Sequence, residues 1–276
     1  MKTFISLFAL FSSLSLTAQT NPATWYLNDS SLNGIQSSSN TASGSVSIAM
    51  GYETEASGSI STAMGRITTA SGDYSTAMGR GTTASGTCST AMGYNTTASG
   101  YRTTSMGRST TASDYASTVI GQYNSSGSSV TNNDTSFSTS NTAFVIGNGT
   151  DSSNKSDAFK VMFNGDTTVS NDLTVSGDVV ISSDARLKSN IVSLGSTLPK
   201  LLQIDGKSYE MKGKQKIGVL AQEIQEVFPE LVSEDDNEML AVNYQGLVPV
   251  LINALKEQQT EIDELKEMVQ ELISRK

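Results

Sequence analysis

From Ala42 the chain repeats its small apolar, hydroxyl and glycine positions with a period of 14, through six copies without a slip. Ala-Ser pairs recur at 42–43, 56–57, 70–71, 84–85, 98–99 and 112–113. Glycine follows at 44, 58, 72, 86 and 100, with Asp114 in the last place. A second glycine column (51, 65, 79, 93, 107, 121) is preceded by Met50, Met64, Met78, Met92, Met106 and Ile120, and one place earlier by Ala49, Ala63, Ala77, Ala91, Ser105 and Val119. Such a period predicts a stacked β-coil: two short Ser/Thr/Ala strands per copy, with glycines supplying the turn conformations other residues resist. One coil buries nothing alone, so neighbours stack at about 4.8 Å and six coils make a rod of roughly 29 Å. In this reading Thr82 falls in a turn. Residues 36–122 hold no Leu, Phe, Lys or Pro, which excludes an ordinary globular core. Ala and Met are a thin filling for a solitary roll, so the Met column is expected to be covered by sister chains.

The flanks follow other patterns. Residues 19–39 carry Trp25 and Tyr26 just before the array and read as an end cap, since a terminal coil must cover its open edge. Residues 123–141 are rich in Ser, Asn and Gly and read as a loop or linker. Over 157–182 apolar and polar positions alternate (Phe159, Val161, Phe163; Leu173, Val175; Val179, Ile181) around Asn164-Gly165 and Ser176-Gly177-Asp178, which predicts short strands of a β-stalk. Near the end, Leu255, Ile262 and Val269 fall at heptad position a, and Leu251, Gln258, Leu265 and Leu272 at d, predicting a coiled-coil helix. Branched residues at a with Leu at d lean toward a parallel dimer, with the polar Gln258 breaking the pattern.

Composition changes character at Ser183. Residues 1–182 carry 11 acidic and 7 basic side chains, whereas the shorter remainder carries 16 and 11. The length of 276 residues allows about two domains. The net charge of −9 argues against nucleic acid or an anionic membrane surface as partner. Lys2, the apolar run 4–16 and the small residues Thr17 and Ala18 read as a secretory signal over 1–18, too short to span a bilayer. Cys88, the single cysteine, cannot form an internal disulfide and reads as a small filler. No cofactor and no metal site is suggested. The column Tyr52, Arg66, Arg80, Tyr94, Arg108 and Gln122 reads first as a solvated rim that keeps the rod soluble, and second as a ladder that could meet a carbohydrate or protein surface.

Candidate chemistry lies at the joint, in SDARLKSN over 183–190. Ser183 is a hydroxyl nucleophile and Lys188 an amine five residues on, with Arg186 between them. Serine needs a base to take its proton, and the chain has no histidine. A lysine serves where burial or a neighbouring cation lowers its pKa, and Arg186 is the candidate cation. Equally, Ser183-Asp184 could merely cap a turn.

Two resemblances extend this reading. The repeats over 40–122, with their STAMG and TTASG halves and the later TAFVIGNGT at 142–150, resemble the head repeats of trimeric autotransporter adhesins. That implies a left-handed parallel β-roll packed as a trimer; the membrane β-barrel anchor of those adhesins is not expected from these residues. From Ser183 onward, SDARLKSNIVSL, GKSYEM, IGVLAQEIQEVFPELV and VNYQGLVPVLINALKEQQTEIDELKE resemble the intramolecular chaperone and auto-processing domain of phage endosialidases, tail spikes and some fibre proteins. The resemblance implies that three chains assemble through 183–276, that the upstream fibre folds, and that the Ser182–Ser183 bond is then cut. Ser183 would be nucleophile and Lys188 base, with Asp184 and Arg186 supporting; Gln222 and Glu223 read as structural. It also favours three chains over the dimer that the heptads alone suggest.

The expected molecule is therefore mostly β: signal 1–18, cap 19–39, β-roll 40–122, linker and stalk 123–182, and a small α+β chaperone domain 183–276 ending in a coiled coil. It is read as a secreted or cell-surface homotrimer that cleaves itself once as a serine endopeptidase, with a cell-surface or carbohydrate receptor left open for the head. The rival readings are a non-cleaving fibre that keeps its tail as a clamp, a phage-derived tail fibre, and a fibre whose head degrades polysaccharide. The last ranks lowest because the repeats offer no well-placed pair of carboxylates.

Overall fold

A computed structural model describes residues 39–235 and 238–275, together with the backbone of 26–27 and 34–36. The expected signal peptide, Trp25 and most of the expected cap lie outside the described residues. The chain divides into two compact units, 1–178 and 179–276. Among its described residues the first has strands as its only regular elements.

Each 14-residue copy gives one longer and one shorter strand, as the period predicts. The longer strands (Ser47–Tyr52, Thr62–Arg66, Thr76–Arg80, Thr90–Tyr94, Thr104–Arg108, Thr118–Gln122) pair in parallel, Met against Met and Gly against Gly. The two-residue strands from Thr41–Ala42 to Thr111–Ala112 form a second parallel sheet of six. Both alanine columns face inward and most of their members are fully buried. Between them stand buried hydroxyls, Ser47, Ser61, Ser75 and Ser89 on one side and Thr54, Thr68, Thr82 and Thr96 on the other. Alternation then turns the Met column outward: Met92 and Met106 are 37% and 36% exposed, and Met50, Met64 and Met78 half-buried. A filling of Ala, Ser and Thr removes little apolar surface from water, so the backbone ladders hold each coil to the next.

Two turn expectations are corrected. Thr82 is fully buried in the interior hydroxyl column, not in an exposed turn. Glycine supplies only part of the positive-φ backbone: Gly51, Gly65, Gly79, Gly93, Gly107 and Gly121 stand at φ between 92° and 129°, whereas Val46, Ile60, Tyr74, Cys88, Arg102 and Ala116 supply it at one turn, with φ between 54° and 61°. Glu53, Ile67, Asn95, Ser109 and Tyr123 do so at the other, beside Gly81. A left-handed residue costs about 1 kcal/mol or more for non-glycine, more for Ile or Val, and closure of the coil imposes it regardless. Both glycine columns also serve close approach. A Cβ at Gly86 would fall 1.9 Å from the carbonyl oxygen of Gly100, and one at Gly79 would fall 2.1 Å from that of Gly93. Cys88, at a turn tip, is exposed and fills nothing.

The array is closed at both ends. At the start, Tyr26–Leu27 pairs antiparallel with Gly34–Gln36, which joins the edge of Ser47–Tyr52 in parallel. At the far end, Thr142–Asn148 adds a further parallel strand in register (Val119 with Val145, Ile120 with Ile146), and Asp157–Met162 and Thr167–Val169 follow antiparallel. Residues 123–141 form a loop without strand or helix, tied to the end of the roll at several points. Asn124 bonds both the N–H and the C=O of Thr111. Asp114, buried where earlier copies have glycine, accepts from the amides of Thr131 (2.6 Å) and Thr142 (2.8 Å). Without a further coil above it, that position needs no glycine.

Expected strands at Leu173, Val175, Val179 and Ile181 do not form within one chain; these side chains stand 45–70% exposed. Strands of an intertwined stalk would need partner chains to pair with.

The second unit has its own small core. Helix α1 (Leu198–Leu201), a hairpin of Lys207–Met211 and Lys214–Gly218, helix α2 (Ala221–Val227), a second hairpin of Val232–Glu234 and Leu240–Val242, and helix α3 (Leu247–Ser274) follow in order. Ile224, Phe228 and Val250 are buried at the centre, with Leu201, Ile204, Val219, Leu231, Val242 and Leu247 packed around them. Beyond the first turns, α3 leaves this core: Leu255, Ile262, Leu265, Val269 and Leu272 are 41–66% exposed, on the heptad positions named above.

Candidate functional site

Asp184 organises the joint. Its backbone is extended, and its carboxylate accepts the amide of Arg186 (2.8 Å), capping a single 3-10 turn over Ala185–Leu187. The same carboxylate takes the Arg186 guanidinium at 2.7 Å. Arg186, first by its side chain and then by its backbone N–H, holds the Asp184 carboxyl below its usual range. An exposed pair of this kind contributes little stability by itself; its effect is to fix the turn. Five residues of extended chain would span about 17 Å, but the turn folds them back, and the Lys188 Nζ donates to Ser183 Oγ at 2.7 Å.

The structure thus brings all four predicted side chains into one turn and sorts them into two pairs. Arg186 is bound to Asp184, so its charge is already matched by that carboxylate. Ser182 and Ser183 are exposed, and among the described residues no hydrogen bond reaches the Ser182 carbonyl oxygen. Nucleophile and amine are in contact, whereas burial and oxyanion donors are not supplied by this stretch of one chain.

Downstream the segment runs exposed through Ile191, Val192 and Leu194 until Glu257 of α3 takes hold of it. The Glu257 carboxylate accepts the amides of Thr197 and Leu198 and the hydroxyl of Ser196, while Thr197 Oγ1 donates to the Val250 carbonyl at 3.0 Å. Nothing in the helical stretch LKEQQTEIDELKE distinguishes Glu257 from its acidic neighbours, so sequence reasoning missed it. The Thr197 amide, then the Ser196 hydroxyl, holds its pKa below the ordinary value. A lowered folded-state pKa gives stability that is present above the unfolded value and lost as pH falls through the folded one. Glu257→Gln should therefore lower the melting temperature of the tail helices most at neutral pH. The gap to wild type should close as pH falls through and below the carboxylate range, followed by helical circular dichroism of the full chain.

Gln222 and Glu223 lie in the first turn of α2. Glu223 pairs with Lys207 at 3.1 Å and accepts the amide of Asp205.

Comparison with known families agrees with this division. A family model described as the YadA head domain repeat matches residues 42–66, 70–96 and 98–124. A peptidase family described as the chaperone of endosialidase matches residues 183–233, beginning at the nucleophile candidate and ending before α3. No curated protein matches the chain. No described helix is long and apolar enough to cross a membrane. The chain joins YadA-type head repeats to a segment of the endosialidase-chaperone type, the architecture of an adhesin- or fibre-like protein.

Proposed function

We propose that this is an exported homotrimeric adhesin-like fibre whose tail, 183–276, templates assembly and then cuts itself off at Ser182–Ser183. The observation that carries the reading is the 2.7 Å contact of Lys188 Nζ with Ser183 Oγ, at the first residues of the segment that matches the chaperone family. In the reaction Lys188, deprotonated, takes the Ser183 hydroxyl proton while Oγ bonds to the Ser182 carbonyl carbon. The C–N bond breaks as that proton passes to the Ser183 nitrogen, leaving Ser182 esterified to Oγ. Water hydrolyses the ester, releasing a carboxylate on Ser182 and restoring the hydroxyl. A lysine must lose its proton to begin, which burial favours. The pair is exposed in a single chain, so sister chains closing over the joint would supply what is missing and tie cleavage to assembly. The head, 40–122, would then meet a cell-surface receptor.

Two unpartnered apolar faces support self-association. One is the outward Met column of the roll, the other the exposed heptad stripe of α3. Met78→Asp should prevent assembly, because carboxylates from every copy would meet in an apolar column, where unpaired buried charge is costly. Ser85→Asp, at an exposed position of the same coil, should assemble normally. Sedimentation of the two variants checks this, and equal behaviour would place the Met column outside any interface.

The exposure of Ser183 and Lys188 equally favours a second reading, in which the dyad is silent and the tail stays attached as a clamp. Denaturing electrophoresis of purified protein separates the two: two fragments for the first, one intact chain for the second.

A further inference from the structure

The turn after each Met-Gly pair carries a row that runs the length of the roll. Parallel register sets Tyr52, Arg66, Arg80, Tyr94, Arg108 and Gln122 side by side, one per coil, with Tyr123 beside the last. The row is made of pairs. Arg66 lies over the ring of Tyr52 (5.9 Å), Arg80 over Tyr94 (5.3 Å) and Arg108 over Tyr123 (5.3 Å). Three of the four basic residues in 40–122 stand here, on a chain of net charge −9. None of the three is ion-paired among the described residues. Toward one end of the row stand Glu53, hydrogen-bonded to Tyr52, and Glu55, and toward the other Asp157, held by the amides of Ser125 and Ser126. Arg66, Arg80, Arg108 and Tyr94 are exposed. Burying these unpaired charges in an interface would be costly, which keeps the row outside the apolar contact expected of the Met column.

We propose that this row binds a linear polysaccharide bearing carboxylates, laid along the axis of the roll. This deepens, and rests on, the reading of 40–122 as a receptor-facing head. A guanidinium held over a ring still has donors free, and its edge matches a carboxylate in two-point contact. Exposed tyrosine faces offer the apolar surface on which sugar rings stack. The row is about 24 Å long at one residue per 4.8 Å, so a repeating ligand can engage several pairs at once and gain from each added contact. A globular partner would meet only part of so narrow a strip.

Immobilised full-length protein would be titrated with polygalacturonate, with neutral dextran, and with single-stranded DNA. Polygalacturonate should bind, more weakly as salt rises, and dextran should not. Arg80→Gln and Arg102→Gln each remove one charge, the second from the other turn of the coil. The first should weaken binding about fivefold and the second leave it unchanged, with the triple variant Arg66→Gln/Arg80→Gln/Arg108→Gln weaker by at least about tenfold. Equal losses from Arg80→Gln and Arg102→Gln, or DNA binding as tight as polygalacturonate, would overturn the proposal. Adhesion to cells without any polygalacturonate binding would overturn this ligand while leaving the adhesive head in place.

Discussion

Ser183→Ala and Lys188→Ala are each expected to leave a single full-length chain, and the parent protein is expected to yield a body and a tail fragment beginning at Ser183. The effect should be close to all-or-none. Loss of an activated serine, or of the base that activates it, costs about 10⁴-fold or more in related chemistry. A third variant separates base from tether. Lys188→Arg keeps a cation beside Ser183 Oγ, but a guanidinium does not give up its proton at any ordinary pH. It should be as dead as Lys188→Ala if Lys188 accepts the proton, and active if the side chain only holds the serine in place. All three should still assemble, since neither residue packs in the core of the tail around Ile224, Phe228 and Val250. Asp184→Ala removes the cap of the 3-10 turn and the partner of Arg186. It should slow cleavage without abolishing it, because Ser183 and Lys188 keep their chemistry and lose only their approach. N-terminal sequencing of the tail decides the site, and a new terminus anywhere but Ser183 would refute the assignment of nucleophile and bond together.

Much of the fold was legible because a 14-residue period is a geometric statement. Equal spacing of alanine, methionine and glycine means equal stacking, and the parallel register of Met50 with Met64 and onward is that period drawn in space. What could not be read was how each coil turns. The left-handed positions hold Val46, Ile60, Tyr74, Cys88, Arg102 and Ala116, residues that carry no turn signal, because their side chains are set by what faces solvent while their backbones are set by closure. For the same reason Cys88 looked like filler and Thr82 like surface. Residues 123–141 read as loop or linker because a loop tied down through Asn124, Asn141 and Asp114 uses the same polar residues that a free one does. At the joint, Ser183 and Lys188 could be singled out from residue type and resemblance, whereas the Asp184–Arg186 pairing and the Glu257 clamp could not. Both depend on three-dimensional reach, which spacing alone does not encode.

Deleting residues 183–276 from the gene should give aggregated or monomeric body, whereas removing the same tail after folding should leave stable assembled body. The reasoning is kinetic. Each coil of the roll offers its neighbour the same faces, so a slip of one 14-residue copy between chains pairs Met with Met and Thr with Thr at nearly the same energy. Parallel β-structure built from distant contacts also forms slowly and leaves unpaired edges exposed while it does so. A helical tail with its own small core can associate first, through the apolar stripe of α3, and so raise the local concentration of the bodies and fix which coil meets which. The exposed run from Leu173 to Ile181 then has partner strands within reach. Once assembled, the body must break its stacked coils together to come apart, so its lifetime is set by an unfolding barrier to which the helices no longer contribute. Sedimentation and light scattering on the two preparations give the answer. Normal assembly at normal yield from the deleted gene would remove the templating role and leave the tail with cleavage alone. Dissociation after post-folding removal would instead show that the helices hold the fibre together throughout.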